Sequence, residues 1–191
     1  MRRIEALRIL AGKLADELVV TSLAGVAREW AWIADRPRNF YLRHSMGLAS
    51  SVGLGLALAR PGERVIVLDG DGSVLMNLGS LCTIANCAPP NLALIIFDNQ
   101  AYASTGLQPS ATAGRADLAA ICRGAGIGEV AAVGDPARFQ AAVEAALACR
   151  GTAAVIARVA AEPVQGPKIT ISTWENKHRF LRAIGVDTGG D

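Results

Sequence analysis

Five short runs of this chain are apolar on successive residues, with a helical pattern between one run and the next. They fall within Glu17–Ser22, Arg64–Leu68, Leu92–Phe97, Glu129–Val133 and Thr152–Val159. A strand with one wet face alternates apolar and polar residues. A strand with no polar side is covered on both faces, which is the situation of a parallel sheet sandwiched by helices. Helical segments are expected around Ile4–Leu14, Val26–Ala34, Met46–Ala59, Ser73–Asn86, Asp117–Arg123 and Pro136–Cys149, with Pro61-Gly62 and Ala88-Pro-Pro-Asn91 as breaks. A short extended piece, Phe40–Leu42, precedes the small-residue helix. The expectation is an α/β fold, three layers α/β/α around a mainly parallel sheet, in a single domain over 1–191. Residues 164–191 form a polar C-terminal arm with a short helix and a frayed Thr-Gly-Gly-Asp end. The arm reads as packing with a solvated face in preference to a lid.

Composition removes several function classes. Hydrophobic residues make up 51% of the chain and charged ones 19%, which excludes disorder and hints at a surface buried against a partner. A net charge of +2 is too balanced for nucleic-acid binding. Cys82, Cys87, Cys122 and Cys149 form no Cys-x-x-Cys pair, and His44 and His178 are isolated, so no zinc or iron–sulfur site is expected. The run Met46–Ala59 is too short to cross a bilayer, and the charged N-terminus lacks a signal peptide's apolar core. The expected location is the cytoplasm.

In open parallel sheets ligands bind beyond the carboxyl ends of the strands. Two such ends carry oxygen donors here: Asp69-Gly70-Asp71-Gly72-Ser73 after one strand, and Asp98-Asn99-Gln100 after the next. The carboxylate of Asp71 and the amide oxygen of Asn99 are hard donors, suited to Mg²⁺ or Ca²⁺, and Mg²⁺ takes its other ligands from phosphate. Gly70 and Gly72 leave the backbone open to a phosphate, and a helix starting near Ser73 turns its free N–H groups toward that anion. Such an arrangement is a diphosphate site. A Gly-x-Gly-x-x-Gly after a strand and a Walker lysine are both missing, which weighs against a nucleotide-binding regulatory module.

Gly-Asp-Gly followed 28 residues after Asp71 by Asn99 resembles the thiamine diphosphate motif. "DRPRNFYLRHSMGLASSVGLGLAL", "DGDGSVLMNLGSL" and "FDNQAYASTGLQPS" look like the beta subunits of sulfopyruvate decarboxylases and the carboxy-terminal part of phosphonopyruvate decarboxylases, over about residues 2–184. The resemblance implies Mg²⁺ bound by Asp71, Asn99 and the carbonyl of Ala101. It implies thiamine diphosphate held by Ser45, Met46, Gly70, Asp71, Gly72, Ser73, Asn99, Ala101 and Tyr102, with Met46 as the apolar prop that bends it. The first residue of the family's Asn pair is Asp98 here, and Asp69 has no family role. His44 stands where the family usually has Gly, and it is the candidate for proton transfer or for binding the substrate acid group. Arg43, Ser104 and Thr105 are candidates for the substrate's far end.

The family's catalytic Glu belongs to a separate pyrimidine-binding domain. The resemblance therefore implies an alpha subunit that donates it, in a hetero-oligomer acting on a small 2-oxo acid. The implied reaction converts 3-sulfopyruvate to sulfoacetaldehyde and CO₂. A phosphonopyruvate decarboxylase, carboligase or 2-oxoacid oxidoreductase subunit is the alternative within thiamine chemistry.

Overall fold

In a computed structural model the chain is described over residues 1–187; the Thr188–Asp191 end lies outside the described residues. Six parallel strands form one sheet. They are β1 (Leu18–Thr21), β2 (Asn39–Tyr41), β3 (Val65–Gly70), β4 (Leu92–Asp98), β7 (Glu129–Val133) and β8 (Ala153–Arg158), in the order β2-β1-β3-β4-β8-β7. A separate antiparallel pair, β5 (Ala101–Tyr102) and β6 (Gln108–Pro109), projects from the end of β4.

Strand periodicity builds the layers. Successive side chains point to opposite faces, so Leu18, Val20, Val65, Val67, Leu94 and Ile96 join one core. Val19, Ile66, Leu68, Ile95 and Val155 join the other. The first core is closed by α3 (Ala49–Ala59), α5 (Gly79–Cys87), α6 (Leu118–Ala125) and α8 (Thr173–Ala183). The second is closed by α1 (Arg3–Ala11), α2 (Gly25–Ala34) and α7 (Pro136–Ala148). The expected three-layer α/β/α architecture is the one found. Gly53 lets α3 sit down on the sheet: a Cβ there would stand 2.1 Å from Val67 Cγ2.

Two helices differ from expectation. The single helix expected over Ser73–Asn86 is two, α4 (Asp71–Leu75) and α5. Between them Asn77 Nδ2 donates to the Gly47 carbonyl at 2.9 Å, and Ser80 Oγ donates to the Asn77 carbonyl at 2.8 Å. Side chains that bond backbone groups locally compete with the helical ladder. The helix expected from Met46 begins at Ala49, because Gly47 is left-handed (φ 82°) and donates its N–H to Ser73 Oγ at 3.0 Å. That bond ties the Met46 segment to the Gly-Asp-Gly-Ser loop.

The arm after Pro163 is fastened along its length. Arg28 Nε donates to the Gly166 carbonyl at 2.7 Å, Gln165 N–H donates to Glu29 at 2.9 Å, and Asn176 Nδ2 donates to the Tyr41 carbonyl at 3.1 Å. Phe180 packs on Phe40 with ring centroids 5.3 Å apart. Among the described residues no helix is long and apolar enough to cross a membrane.

Candidate active site

Strand order locates the site. The chain leaves β1 toward β2 on one side, and β3 lies on the other, so the topology switches between β1 and β3. At a switch point the following helices diverge and leave a crevice. A cleft of about 180 Å³ lies there. Ser22, Ala24, Gly25 and Val26 line it after β1, Gly70–Ser73 after β3, and Phe97, Asn99, Ala101 and Tyr102 after β4. Met46, Ser104 and Thr105 also line it, with Val164 from the arm and Arg3 from α1.

Most of the expected site residues therefore meet in one place. The register explains the two motifs: β3 and β4 are parallel neighbours with Gly70 beside Phe97, so their loops emerge side by side. Asn99 Oδ1 accepts the N–H of Ala101 at 3.1 Å, which shapes the turn carrying that residue's carbonyl, and Gln100 holds a left-handed φ of 61°. Ser104 and Thr105 are exposed at the rim. Arg43, His44 and Ser45 are not among the cleft-lining residues. His44 is exposed, and Arg43 Nη1 donates to the Ile171 carbonyl at 2.6 Å, fastening the arm.

Gly72 has a use beyond leaving the backbone open. Its missing side chain is replaced by the Tyr102 ring, whose Cε1 would lie 2.4 Å from a Cβ at residue 72. Gly70 is different: a Cβ there would meet only the Phe97 carbonyl, at 4.0 Å.

Two residues that the sequence does not single out as site candidates hold Asp71. Ser110 Oγ donates to Asp71 Oδ2, and Thr112 Oγ1 lies 3.2 Å from the same oxygen and 2.7 Å from Asp98 Oδ1. Asp98 also pairs with Arg158 at 3.2 Å, so the departure from the family's Asn comes with its own counter-ion. Burial raises the Asp71 carboxyl above its ordinary range and the nearby Asp98 charge adds to that, while the Ser110 and Thr112 hydroxyls offset part of it. Burial pushes Asp69 up to about 6, against lowering by Ser73 and the Gly70 N–H. In the sequence Ser110 is marked only as the end of the family-like stretch, and Thr112 not at all; the hairpin of β5 and β6 folds them back.

A hard cation fits these residues. One oxygen of Asp71 is held by hydroxyls and the other receives no side-chain donor among the described residues. The local excess of buried carboxylate is relieved by positive charge. Among the described residues no group of three His, Cys, Asp or Glu side chains is assembled. The available set is one carboxylate, one amide oxygen and backbone carbonyls, and it suits an ion that completes its shell from phosphate. Asp71, Asn99 and Ala101 would hold it, beside the first turn of α4.

A switch-point cleft with hard-cation donors beside a helix start defines a binding domain for a diphosphate-bearing cofactor. Residues 22–157 match the family model "Thiamine pyrophosphate enzyme, C-terminal TPP binding domain", and the chain belongs to that family, in the beta-subunit group of sulfopyruvate decarboxylase type. It is 43% identical to the sulfopyruvate decarboxylase subunit beta of Methanothermobacter thermautotrophicus, over 96% of each chain. It is 39% identical to the sulfopyruvate decarboxylase of Methanosarcina acetivorans, over 97% of this chain and 48% of that one. The fold is shared with the benzoylformate decarboxylase of Polynucleobacter necessarius: TM-score 0.71 and 17% identity, over 85% of this chain and 34% of that one.

Proposed function

We propose that the chain is the beta subunit of a thiamine diphosphate- and Mg²⁺-dependent 2-oxo acid decarboxylase, acting on 3-sulfopyruvate to give sulfoacetaldehyde and CO₂. The observation that carries this reading is the meeting of Asp71 and Asn99, from neighbouring strand ends, in one cleft with Met46 and the first turn of α4. Thiamine diphosphate supplies an electron sink for the electrons left when a 2-oxo acid loses CO₂.

This chain's own residues orient and exclude. Asp71, Asn99 and the Ala101 carbonyl would hold the Mg²⁺, and α4 presents its first-turn N–H groups to the diphosphate. Met46 and Tyr102 give apolar walls that keep water out. Ser104 and Thr105, at the rim, offer hydroxyl donors to the acid end of the substrate. Arg43 and His44 precede the cleft-lining Met46 in sequence and are assigned to the same end, where a partner subunit would complete the wall.

Asp71 is the only acid among the described cleft-lining residues, and the Mg²⁺ would occupy it. Nearby Glu29 is bound to Arg3 and Gln165. In this reading the Glu that moves protons at the cofactor is donated by an alpha subunit, as the resemblance to the family implies. The M. acetivorans relative supports this: the present chain spans about half of it.

The test is to co-express the chain with the neighbouring reading frame and assay CO₂ release with thiamine diphosphate and Mg²⁺. Sulfopyruvate, phosphonopyruvate and pyruvate are compared as substrates. Release from sulfopyruvate above the others, lost in Asp71→Ala, is expected. No release from any 2-oxo acid would overturn the reading.

A further inference from the structure

The chain changes direction across the sheet twice. One reversal lies between β1 and β3 and makes the cleft described above. At the other, the chain leaves β4 for α6, which packs in the first core, but leaves β7 for α7 and β8 for Val159, both in the second core. β4 and β8 are neighbours, so the segments leaving their carboxyl ends diverge. The rule that places the first cleft therefore places a second crevice here. It measures about 500 Å³, ample for a small molecule.

The charges that line it are sorted. Its two acids are spent on the protein. Asp98 Oδ1 accepts from Thr112 Oγ1 at 2.7 Å and from the Gln100 N–H at 3.1 Å, and Oδ2 pairs with Arg158 at 3.2 Å. Asp117 Oδ1 accepts the Ala119 and Ala120 N–H groups at 2.9 and 3.1 Å, so its charge is matched to the first turn of α6. Its two cations keep donors in hand. The Arg158 side chain is 47% exposed, and only Nη2 is engaged by Asp98. Arg115 is exposed and meets no acceptor among the described residues. Leu118, Ala132, Val133 and Ile156 add an apolar wall.

We propose that this crevice is a second ligand site, for a small organic anion. The phosphate or carboxylate of the ligand pairs with Arg115 and Arg158, and its body lies on the apolar wall. A planar guanidinium with spare donors pairs either head group through two oxygens. The site stands apart from the cofactor reading, but its consequence rests on that reading. Thr112 bonds both Asp98 and Asp71, so the crevice backs onto the proposed Mg²⁺ site. An anion on Arg158 adds negative charge there and draws on the counter-ion of Asp98. Both effects favour a cation at Asp71, and by linkage Mg²⁺ favours the anion equally.

The full chain, co-purified with its partner subunit and loaded with thiamine diphosphate and Mg²⁺ to fill the first cleft, is titrated calorimetrically. The probes are phenyl phosphate, benzoate and inorganic phosphate. Saturable binding with a Kd of about 1 mM or tighter is expected, with phenyl phosphate ahead of inorganic phosphate. The tighter of phenyl phosphate and benzoate identifies the head group. Arg115→Ser removes a cation and Ala132→Asp puts a carboxylate in the wall; both positions are exposed, so neither change disturbs the core. Each should weaken binding about tenfold or more, with thiamine diphosphate binding unchanged. No binding of any probe, or binding that either variant leaves intact, overturns the site. With saturating phenyl phosphate, Mg²⁺ titrated beside thiamine diphosphate should bind several-fold tighter in the wild type and not in Arg115→Ser. An unchanged Mg²⁺ affinity overturns the coupling and leaves the site. A protein that does not load with thiamine diphosphate overturns the cofactor reading, and the same titrations of the unloaded protein then decide the site.

Discussion

Replacing Gly72 by Ala separates two reasons for a glycine at this position. The residue lies in α4 with no positive φ, so Ala brings no backbone strain. Helix propensity alone favours the change by roughly 0.5–1 kcal/mol. The new Cβ, however, would lie 2.4 Å from Tyr102 Cε1, and ordinary contact begins at 3.4 Å, so the ring must withdraw by 3.4 − 2.4 = 1.0 Å or more. Overpacking of this kind costs about 1–3 kcal/mol. The net expectation is a loss of about 1–2 kcal/mol, read as a lowered urea midpoint, together with weaker binding of thiamine diphosphate and Mg²⁺ in calorimetry. Tyr102→Ala removes the obstacle. In that background Gly72→Ala is expected to be neutral or slightly stabilising, giving a coupling energy of about 1–2 kcal/mol in the double-mutant cycle. If Gly72→Ala is equally harmful with and without the ring, Tyr102 is not what the glycine accommodates, and close approach of the diphosphate is the remaining reason.

Thr112→Val leaves Asp71 and Asp98 without their shared hydroxyl and is expected to cost about 1–3 kcal/mol by urea denaturation; an unmoved midpoint would show that Ser110 and Arg158 suffice. Gly53→Ala drives a methyl into Val67 and should destabilise more than the helix gain of about 1 kcal/mol offsets, with recovery in the Val67→Ala background. Burial pushes the Cys122 thiol up to about 11. Iodoacetamide at pH 8.5 should therefore modify exposed Cys82 and Cys87 while sparing Cys122 in the folded chain, and mass spectrometry reads the pattern. Above its ordinary value of 9.0 the thiol ionises more readily unfolded than folded, so stability falls as pH rises toward 11. That part of the fall should vanish in Cys122→Ala.

Two kinds of information were local enough to read from the chain itself. Runs apolar on every residue require cover on both faces, so a buried parallel sheet followed from Leu92–Phe97 and its companions. The hard-donor pair Asp71 and Asn99 followed from the placement of each just after such a run. Other features depend on groups distant in sequence. The helix after Ser73 breaks because Asn77 reaches Gly47, thirty residues away, and α3 starts late because Gly47 bonds Ser73. Which strand ends share a crevice depends on the order β2-β1-β3-β4, and that order alone brings Ser22 and Gly25 to the cleft. Ser110, Thr112 and Arg3 do not stand out in the sequence as site residues, since a hydroxyl or guanidinium is ordinary until a fold buries it against a carboxylate. Periodicity and donor chemistry belong to a few consecutive residues and survive in the one-dimensional string. Partnership in a buried polar network is a property of the packed chain, because it exists only once water has been removed.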